Sequence, residues 1–482
     1  MGLLGILIAL GLLIWLAYRG WSILLLAPAA AILAAALAGE PLLAHWTQTF
    51  MGSAAQFVMQ FFPIFLLGAL FGKLMEDSGS VTSIAKTMTE RLGPQRSVLA
   101  VVLAGAIVTY GGVSLFVAFL VLAPMAHQLF RAAAIPRRLM PAAIALGTTT
   151  FTMSALPGTP AIQNAIPMPF FGTTPFAAPG LGIIAAIVMF GFGMWWLARA
   201  EARARATGEG YGEEVPQTDA AEDLLVRERA TTASTFDPPE AIHGAPSDDG
   251  PPIALAALPL VVVVVVNLLM SLFVLPRMDA SFLAQKEWGS TSLSAVGGVW
   301  AVVTALFVAI VVLIAINYRR LPALRDSMDA GANASVLPVL SVASLVGFGS
   351  VVAALPAFSM VRDWVLGIEG GPLVSLAVAT NVLASLTGSA SGGLTIALDA
   401  LGATYLKIAH EQGIDPGLLH RVAVIGAGTL DSLPHNGAVV TLLAVCNSTH
   451  RESYLDIVMV SIVGGLLALA VVIILGSTVG YF

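Results

Sequence analysis

One aspartate, Asp431, lies inside an otherwise apolar part of the sequence, in the stretch 429-TLDSLPHN-436. A carboxylate within a hydrophobic segment is costly, so it is a functional-site hypothesis by default. Asp431 can accept a proton, or it can hold a cation together with Thr429, Ser432 and Asn436. His435 can hydrogen-bond a substrate or share the proton, but it can equally be a neutral histidine bonded to a backbone carbonyl.

A second acid, Asp399, lies within the apolar stretch 389-SASGGLTIALDALG-402. It could instead face water or pair with Lys407, because it follows the glycine-rich end of this stretch by several residues. We therefore favour Asp431 as the group that couples ion movement to transport, with Asp399 as the alternative.

The stretch 147-GTTTFTMSALPGTPAIQN-164 is rich in hydroxyl groups and prolines, carries no charge and has apolar segments on both sides. A lone serine or threonine in a membrane helix usually bonds back to a carbonyl of its own helix. Here the hydroxyls are clustered beside glycine and proline, which favours binding. The candidate substrate-binding residues of the chain are Gly111, Gly112, Ser114, Thr152, Ser154, Thr159, Gln163, Asn164, Ser389, Ser391, Gly392, Thr429, Ser432, His435 and Asn436.

The composition is that of a membrane protein. The 482 residues are 57% hydrophobic and 10% charged, with a mean hydropathy of +0.90, whereas soluble domains carry about 25% charged residues. The apolar runs are continuous and do not alternate with period two, which predicts an all-α polytopic membrane protein and not a β-barrel. The single cysteine, Cys446, excludes an internal disulfide and a cysteine-based metal cluster. A net charge of −6 without a basic tract argues against nucleic acid as a partner.

Two membrane halves flank a polar segment. We predict a first half over 1–198, a disordered cytoplasmic linker over 199–252 and a second half over 253–482. Each half is expected to contain a re-entrant hairpin and a helix that is broken within the membrane. The hairpins are predicted at about 98–130 and 373–407, and the broken helices at about 139–165 and 422–446.

The halves resemble each other at a constant offset of 277 residues, and every matched pair lies at a hairpin tip or a break. The pairs are Gly111 and Gly388, Ser114 and Ser391, Thr152 and Thr429, Leu156 and Leu433, and Pro157 and Pro434. With both hairpins re-entrant, most of the 22 lysines and arginines fall on one side of the membrane. That side is then cytoplasmic, both chain ends are outside, and Arg421 is among the few basic residues on the outer side. These features predict two repeats of inverted topology.

Breaks of this kind expose backbone N–H and C=O groups, which is tolerated only where they line a cavity or are buried in protein. Two hairpin tips and two broken helices that meet at mid-membrane are the expected site of a secondary transporter. The N-termini of half-helices suit a carboxylate, and their C-terminal carbonyls suit a cation. No lysine or arginine falls within the breaks, so we expect an anion to be held by N–H, hydroxyl and amide groups. The acidic pair Glu76 and Asp77 is expected to be solvated or to cap a helix.

Four stretches together resemble the gluconate:proton symporter (GntP) family of bacterial permeases, which belongs to the ion transporter superfamily. They are 68-GALFGKLMEDSG-79, 109-TYGGVSLFVAFLVLAP-124, 144-IALGTTTFTMSALPGTPAIQN-164 and 389-SASGGLTIALDALG-402. The resemblance implies proton-coupled uptake of a small hydroxycarboxylate such as gluconate across the bacterial inner membrane, without a cofactor. It also implies a homodimer in which a transport domain moves like an elevator against a scaffold.

The sequence departs from the gluconate-type members at one point, because their Phe-Phe-Glu in the first hairpin region is replaced by 114-SLFV-117, which has no acid. The Gly-Gly-Val-Ser tip looks more like the branch of hydroxybutyrate permeases, so a smaller and less hydroxylated monocarboxylate is favoured. Sodium remains an alternative coupling ion. A channel would need no titratable group such as Asp431. A membrane-embedded enzyme using Ser432 and His435 is disfavoured by the proline between them.

Overall fold

A computed structural model describes residues 2–19, 21–212, 250–434 and 436–482, and within these ranges the chain forms helices and no β-strand. The helices of the first half are α1 (Gly2–Tyr18), α2 (Ile23–Ala38), α3 (Leu42–Asp77), α4 (Ser80–Leu92), α5 (Ser97–Tyr110), α6 (Leu115–Ala132), α7 (Met140–Thr148), α8 (Phe151–Ser154), α9 (Ile162–Ala165), α10 (Pro167–Phe171) and α11 (Pro179–Ala206). Those of the second half are α12 (Ile253–Arg277), α13 (Leu293–Arg320), α14 (Leu324–Asn333), α15 (Val336–Ala354), α16 (Phe358–Leu366), α17 (Pro372–Thr387), α18 (Ala390–Gln412), α19 (Pro416–Thr429), α20 (Gly437–Val445) and α21 (His450–Thr478).

Seven helical stretches in the described residues are long and apolar enough to cross a membrane. They include α3, α11 and α21, and shorter apolar helices such as α1 and α2 accompany them. Leucine, valine and isoleucine also cover much of the outer surface, for example at Leu25, Val261 and Ile474. An outer surface of this kind is stable against lipid and not against water. The chain is therefore a multi-pass membrane protein.

Each half contains a hairpin of two packed helices. In the first half α5 packs against α6, and in the second half α17 packs against α18. Both turns follow from local chemistry. Ser114 begins α6 by accepting a hydrogen bond from the N–H of Phe116 at 3.3 Å. Gly388 ends α17 in the left-handed region (φ +62°), and Ser389 begins α18 by accepting from the N–H of Gly392 at 3.1 Å.

The predicted broken helices are also interrupted in the structure. The first is divided into α7, α8, α9 and α10, with non-helical backbone at 155–161. The second consists of α19 and α20, joined by a short 3₁₀ turn at Leu430–Ser432 and extended backbone at Leu433. Proline follows both helical parts closely, and each proline removes a helix-continuing N–H.

The helices associate in two groups. In one group α3 contacts α13, α14 and α15, and α15 also contacts α2. In the other group the hairpins contact the broken helices, and α11 packs on α21. Contacts between the groups include those of α15 with α18 and of α10 with α13. The two broken helices and both hairpin tips therefore belong to one packed unit beside a second unit.

Two details near the cytoplasmic clusters differ from expectation. Helix α11 continues to Ala206, so the first eight residues of the predicted linker are helical, while residues 213–249 of that linker lie outside the described residues. The expected solvation or capping by the acidic pair is wrong for Asp77, which is fully buried with its carboxylate 3.0 Å from Lys73 Nζ. The buried lysine compensates the charge that we expected water to solvate.

Candidate substrate and ion site

Parts of both halves surround one small cavity of about 30 Å³. From the first half it is lined by Leu115 at the hairpin tip and by Ser154 and Gln163 at the break. From the second half it is lined by Ala390 at the hairpin tip and by residues of the break, including Asp431, Ser432 and Asn436. Elements far apart in the sequence therefore meet at one point, as the broken-helix argument requires.

Asp431 ties the second break to the second hairpin tip. Its carboxylate accepts a hydrogen bond from Asn436 Nδ2 at 2.8 Å and another from the backbone N–H of Ala390. The same Asn436 Nδ2 donates to the carbonyl of Gly388 at 2.8 Å, and Asn436 Oδ1 accepts from the N–H of Ala438 at 2.7 Å. The carboxylate is thus fixed in place and still borders the cavity.

Three helix N-termini border this cavity. They belong to α6, which begins at Leu115, to α18, which begins at Ala390, and to α20, whose second residue is Ala438. The first N–H groups of a helix have no partner within the helix, and they carry partial positive charge. No lysine or arginine is among the lining residues. The cavity therefore offers backbone positive charge to an anion beside one titratable carboxylate.

The hydroxyl groups of the first break mostly bond to their own backbone. Ser154 Oγ donates to the carbonyl of Thr150 at 3.0 Å, and Thr152 Oγ1 donates to that of Thr148 at 3.1 Å. Thr159 Oγ1 begins α9 by accepting from the N–H of Ala161 at 3.3 Å. In the second break Thr429 likewise donates to the carbonyl of Ile425 at 2.7 Å. Of these four, only Ser154 lines the cavity.

Asn164 belongs to a buried network and lines neither of the two cavities described here. Its Nδ2 donates to the carbonyls of Thr159 and Pro175, both at 3.0 Å. Its Oδ1 lies 3.2 Å from His420 Nε2 and accepts from Arg421 Nη1 at 3.4 Å. The amide therefore satisfies free carbonyls of the first break, which is a structural use of the side chain.

Arg421 corrects the sequence-based placement most clearly. It was expected on the outer side of the membrane, but its side chain is fully buried. Its guanidinium donates to the carbonyl of Ala177 at 2.6 and 3.2 Å and to that of Ser154 at 3.3 Å. The five N–H groups of arginine match these clustered carbonyls, which is why the charge can be buried. The sequence signal was the adjacency of His420 and Arg421 to the apolar run of α19.

The remaining candidates fall into two groups. Gly112, Ser114 and Gln163 line a neighbouring cavity of about 120 Å³. Gly111 packs against Leu260, and Gly392 packs against Leu345. Ser389 and Ser391 hydrogen-bond to each other at 3.2 Å. These last four residues line neither cavity.

The two remaining titratable candidates differ in what can be said of them. Asp399 lies on the outer arm of the second hairpin, where its carboxylate accepts a hydrogen bond from Ser350 of α15. It does not line the cavity that Asp431 borders. His435 lies outside the described residues.

The sequence profile of GntP family permeases matches residues 1–196. Over 487 aligned positions the chain is 41% identical to a protein named uncharacterized transporter YxjC from Bacillus subtilis (strain 168), with 99% of both chains covered. A 106-residue stretch is 38% identical to the high-affinity gluconate transporter of Escherichia coli (strain K12) and covers 21% of this chain and 23% of that one.

Two solved transporter structures share the fold. MtrF from Neisseria gonorrhoeae, described as one of a class of antimetabolite efflux pumps, superposes with a TM-score of 0.54 at 14% identity, covering 90% of this chain and 85% of that one. The YdaH transporter of Alcanivorax borkumensis, described as having an unusual topology, gives a TM-score of 0.50 at 17% identity, covering 91% and 89%. At such low identity these matches concern the fold alone.

Proposed function

Because this chain belongs to the GntP permease family and is a membrane transporter, we propose that it takes up a small hydroxycarboxylate or other monocarboxylate anion by proton symport. The single observation that carries the proposal is the cavity where three helix N-termini meet the carboxylate of Asp431. The relative that is a gluconate transporter supports an organic acid as the substrate class.

The N-termini of α6, α18 and α20 are the proposed anion-binding groups. Their free N–H groups can hydrogen-bond a carboxylate, and their dipoles favour negative charge. Arg421 adds a buried positive charge behind Ser154, whose carbonyl it binds. In this account Arg421 acts on the anion through its electric field and through the shape of the break, without touching the anion.

Asp431 is the proposed coupling residue. A monocarboxylate that moves inward against a negative interior needs a positive charge to travel with it, and each charge is worth about 2.3 kcal/mol per 100 mV. A proton on Asp431 would supply that charge. It would also remove the repulsion between the aspartate and a carboxylate substrate in the same cavity. A sodium ion held by the Asp431 carboxylate and nearby carbonyls is the second candidate, since both ions neutralise the same group.

The two packed groups of helices support a moving part and a fixed part. We propose that the hairpins and broken helices form the transport domain, and that α3, α13 and α15 belong to the scaffold. The equal order of elements in the two halves supports inverted repeats, as does the geometry of two matched caps. Thr159 and Asn436, which are 277 residues apart, each accept from the N–H two residues further on. With this topology both chain ends face outward from a bacterial inner membrane, and a homodimer remains the expected assembly.

Proteoliposomes with controlled gradients test the proposal. Labelled 3-hydroxybutyrate and gluconate are offered under an inward proton gradient, an inward sodium gradient, or neither, each with the membrane potential clamped. We expect concentrative uptake under the proton gradient only. Uptake driven by sodium alone would establish the second candidate ion. Passive equilibration that no gradient can drive uphill would indicate a channel and contradict the proposal.

A further inference from the structure

A second cavity of about 120 Å³ adjoins the polar cavity. The two share Leu115, Met153 and Gln163 as lining residues, so these side chains form the junction between them. The polar cavity of about 30 Å³ has little more room than two water molecules need, since one requires about 10–15 Å³. It can hold a carboxylate group but not a whole substrate of four or more carbons.

The second cavity is mainly apolar, and helix α3 forms one of its walls. Ile64, Phe65, Gly68 and Ala69 of that helix line it, and no charged residue is among its lining residues. The spacing of these four residues places them on one face of α3. Gly68 borders open space, because a Cβ built there would meet no heavy atom within 4 Å. This glycine therefore sets the depth of the cavity.

One polar group at the junction has no partner. Gln163 Oε1 is buried and accepts no hydrogen bond from the described residues. A buried acceptor without a partner costs about 1–3 kcal/mol, so a ligand hydroxyl that donates to it would be favoured. The junction thus suits one hydroxyl group close to the carboxylate, and the cavity beyond it suits hydrocarbon.

We infer that the cavity beside Gly68 receives the alkyl tail of the substrate, and that the transporter prefers short-chain hydroxy acids with an unsubstituted tail to polyhydroxylated sugar acids. This inference rests on the proposed carboxylate uptake and specifies its substrate class. The carboxylate lies at the helix N-termini, one hydroxyl meets Gln163, and the tail extends toward α3. Gluconate would place several hydroxyl groups against Ile64, Phe65 and Met153, where they find no partners.

A homologous series measures the tail site directly. The initial uptake of 3-hydroxybutyrate, 3-hydroxypentanoate and 3-hydroxyhexanoate into proteoliposomes is compared with that of gluconate. Burial of one methylene is worth about 0.8 kcal/mol, so KM should fall about fourfold with each added carbon. KM for gluconate should exceed that for 3-hydroxybutyrate at least tenfold.

Two glycine substitutions on the same helix provide the variant and its control. Gly68→Leu places a side chain in the cavity and should reduce the KM ratio between the four- and six-carbon acids to about one. Gly52→Leu changes a position where a Cβ also meets no atom within 4 Å but which does not line the cavity, and it should leave the series unchanged. Gly68→Ala, a smaller change, should reduce the ratio only in part, and it also serves if Gly68→Leu does not fold.

The outcomes separate the inference from the proposed function. A flat series in the unsubstituted protein, or gluconate preferred to all three acids, would overturn the tail site while leaving carboxylate uptake intact. A Gly68→Leu protein that folds and keeps the full chain-length dependence would overturn it as well. Absence of uptake for every acid under every gradient would instead reject the proposed function.

Discussion

The two breaks occupy matching positions in the two halves, yet their chemistry differs. At the first break, Ser154 is the counterpart of Asp431 and Thr159 is the counterpart of Asn436. The neutral Ser154 and Thr159 bond locally, while distant side chains hold the free carbonyls. At the second break, Asp431 and Asn436 connect the break to the hairpin tip and border the cavity.

The first break is held by partners from several helices. Tyr110 donates to the carbonyl of Pro157 at 2.8 Å, and Asn267 donates to that of Gly158 at 3.0 Å. Arg421 and Asn164 hold further carbonyls, as described above. The second break has fewer such supports, with Tyr454 donating to the carbonyl of Ser432 at 3.2 Å. The comparison teaches that one break serves as rigid structure and the other carries the ionisable group, so one fold position fulfils two roles.

Replacement of Arg421 should produce the largest change in stability. Arg421→Met removes the donors to the carbonyls of Ser154 and Ala177 and leaves both buried without that partner. We expect a loss of about 3 kcal/mol or more in the free energy of unfolding. A thermal-unfolding series in detergent measures the loss, and Arg421→Lys, which keeps one charged group, should fall between the two. An Arg421→Met protein as stable as the unsubstituted one would show that the first break needs no such support.

Removal of the matched caps should separate the two breaks. Asn436→Ala deletes the bonds to Asp431 and Gly388 together with the cap of α20, and we expect kcat/KM for uptake to fall about 100-fold, since bonds to charged groups are worth about 1.5–3 kcal/mol each. Thr159→Ala deletes only the cap of α9, worth about 1 kcal/mol, so we expect a fall of about fivefold. Initial uptake rates at equal amounts of reconstituted protein provide the comparison. Equal losses would mean that the two breaks do not differ in function.

Replacement of the runner-up acid should have the smallest effect. Asp399→Asn keeps an acceptor for Ser350 and changes a residue that does not line the polar cavity. We expect gradient-driven accumulation within about twofold of the unsubstituted protein. Loss of accumulation with exchange retained would move the coupling role from Asp431 to Asp399.

Much of this arrangement could be predicted from the sequence, because its signals are local. Proline and glycine in apolar surroundings indicate a break, and the offset that joins Pro157 to Pro434 indicates a matched one. Asp431 stood out because a carboxylate is rare in such a segment. The helical character and the family were confirmed on the same residues.

The roles of individual polar residues depended on distances that the sequence does not contain. Whether Thr152 bonds to its own helix or faces a cavity depends on side-chain direction, and the two alternatives have the same sequence. Arg421 was misplaced because a charge count assumes that arginine lies in water, whereas carbonyls from the other half of the chain surround it. The cavity beside Gly68 arises from the packing of α3 on the first hairpin tip, which has no local signal.

The central claim is that Asp431 couples ion movement to substrate movement, and the Asp431→Asn variant tests it most directly. Two fluxes are measured in the same proteoliposomes: accumulation of labelled 3-hydroxybutyrate under a proton gradient, and exchange of internal labelled for external unlabelled 3-hydroxybutyrate without a gradient. Asparagine keeps a hydrogen-bonding group of similar size but cannot take up and release a proton in this way. The account predicts that accumulation is lost and exchange persists. Accumulation at the unsubstituted level in Asp431→Asn would contradict it.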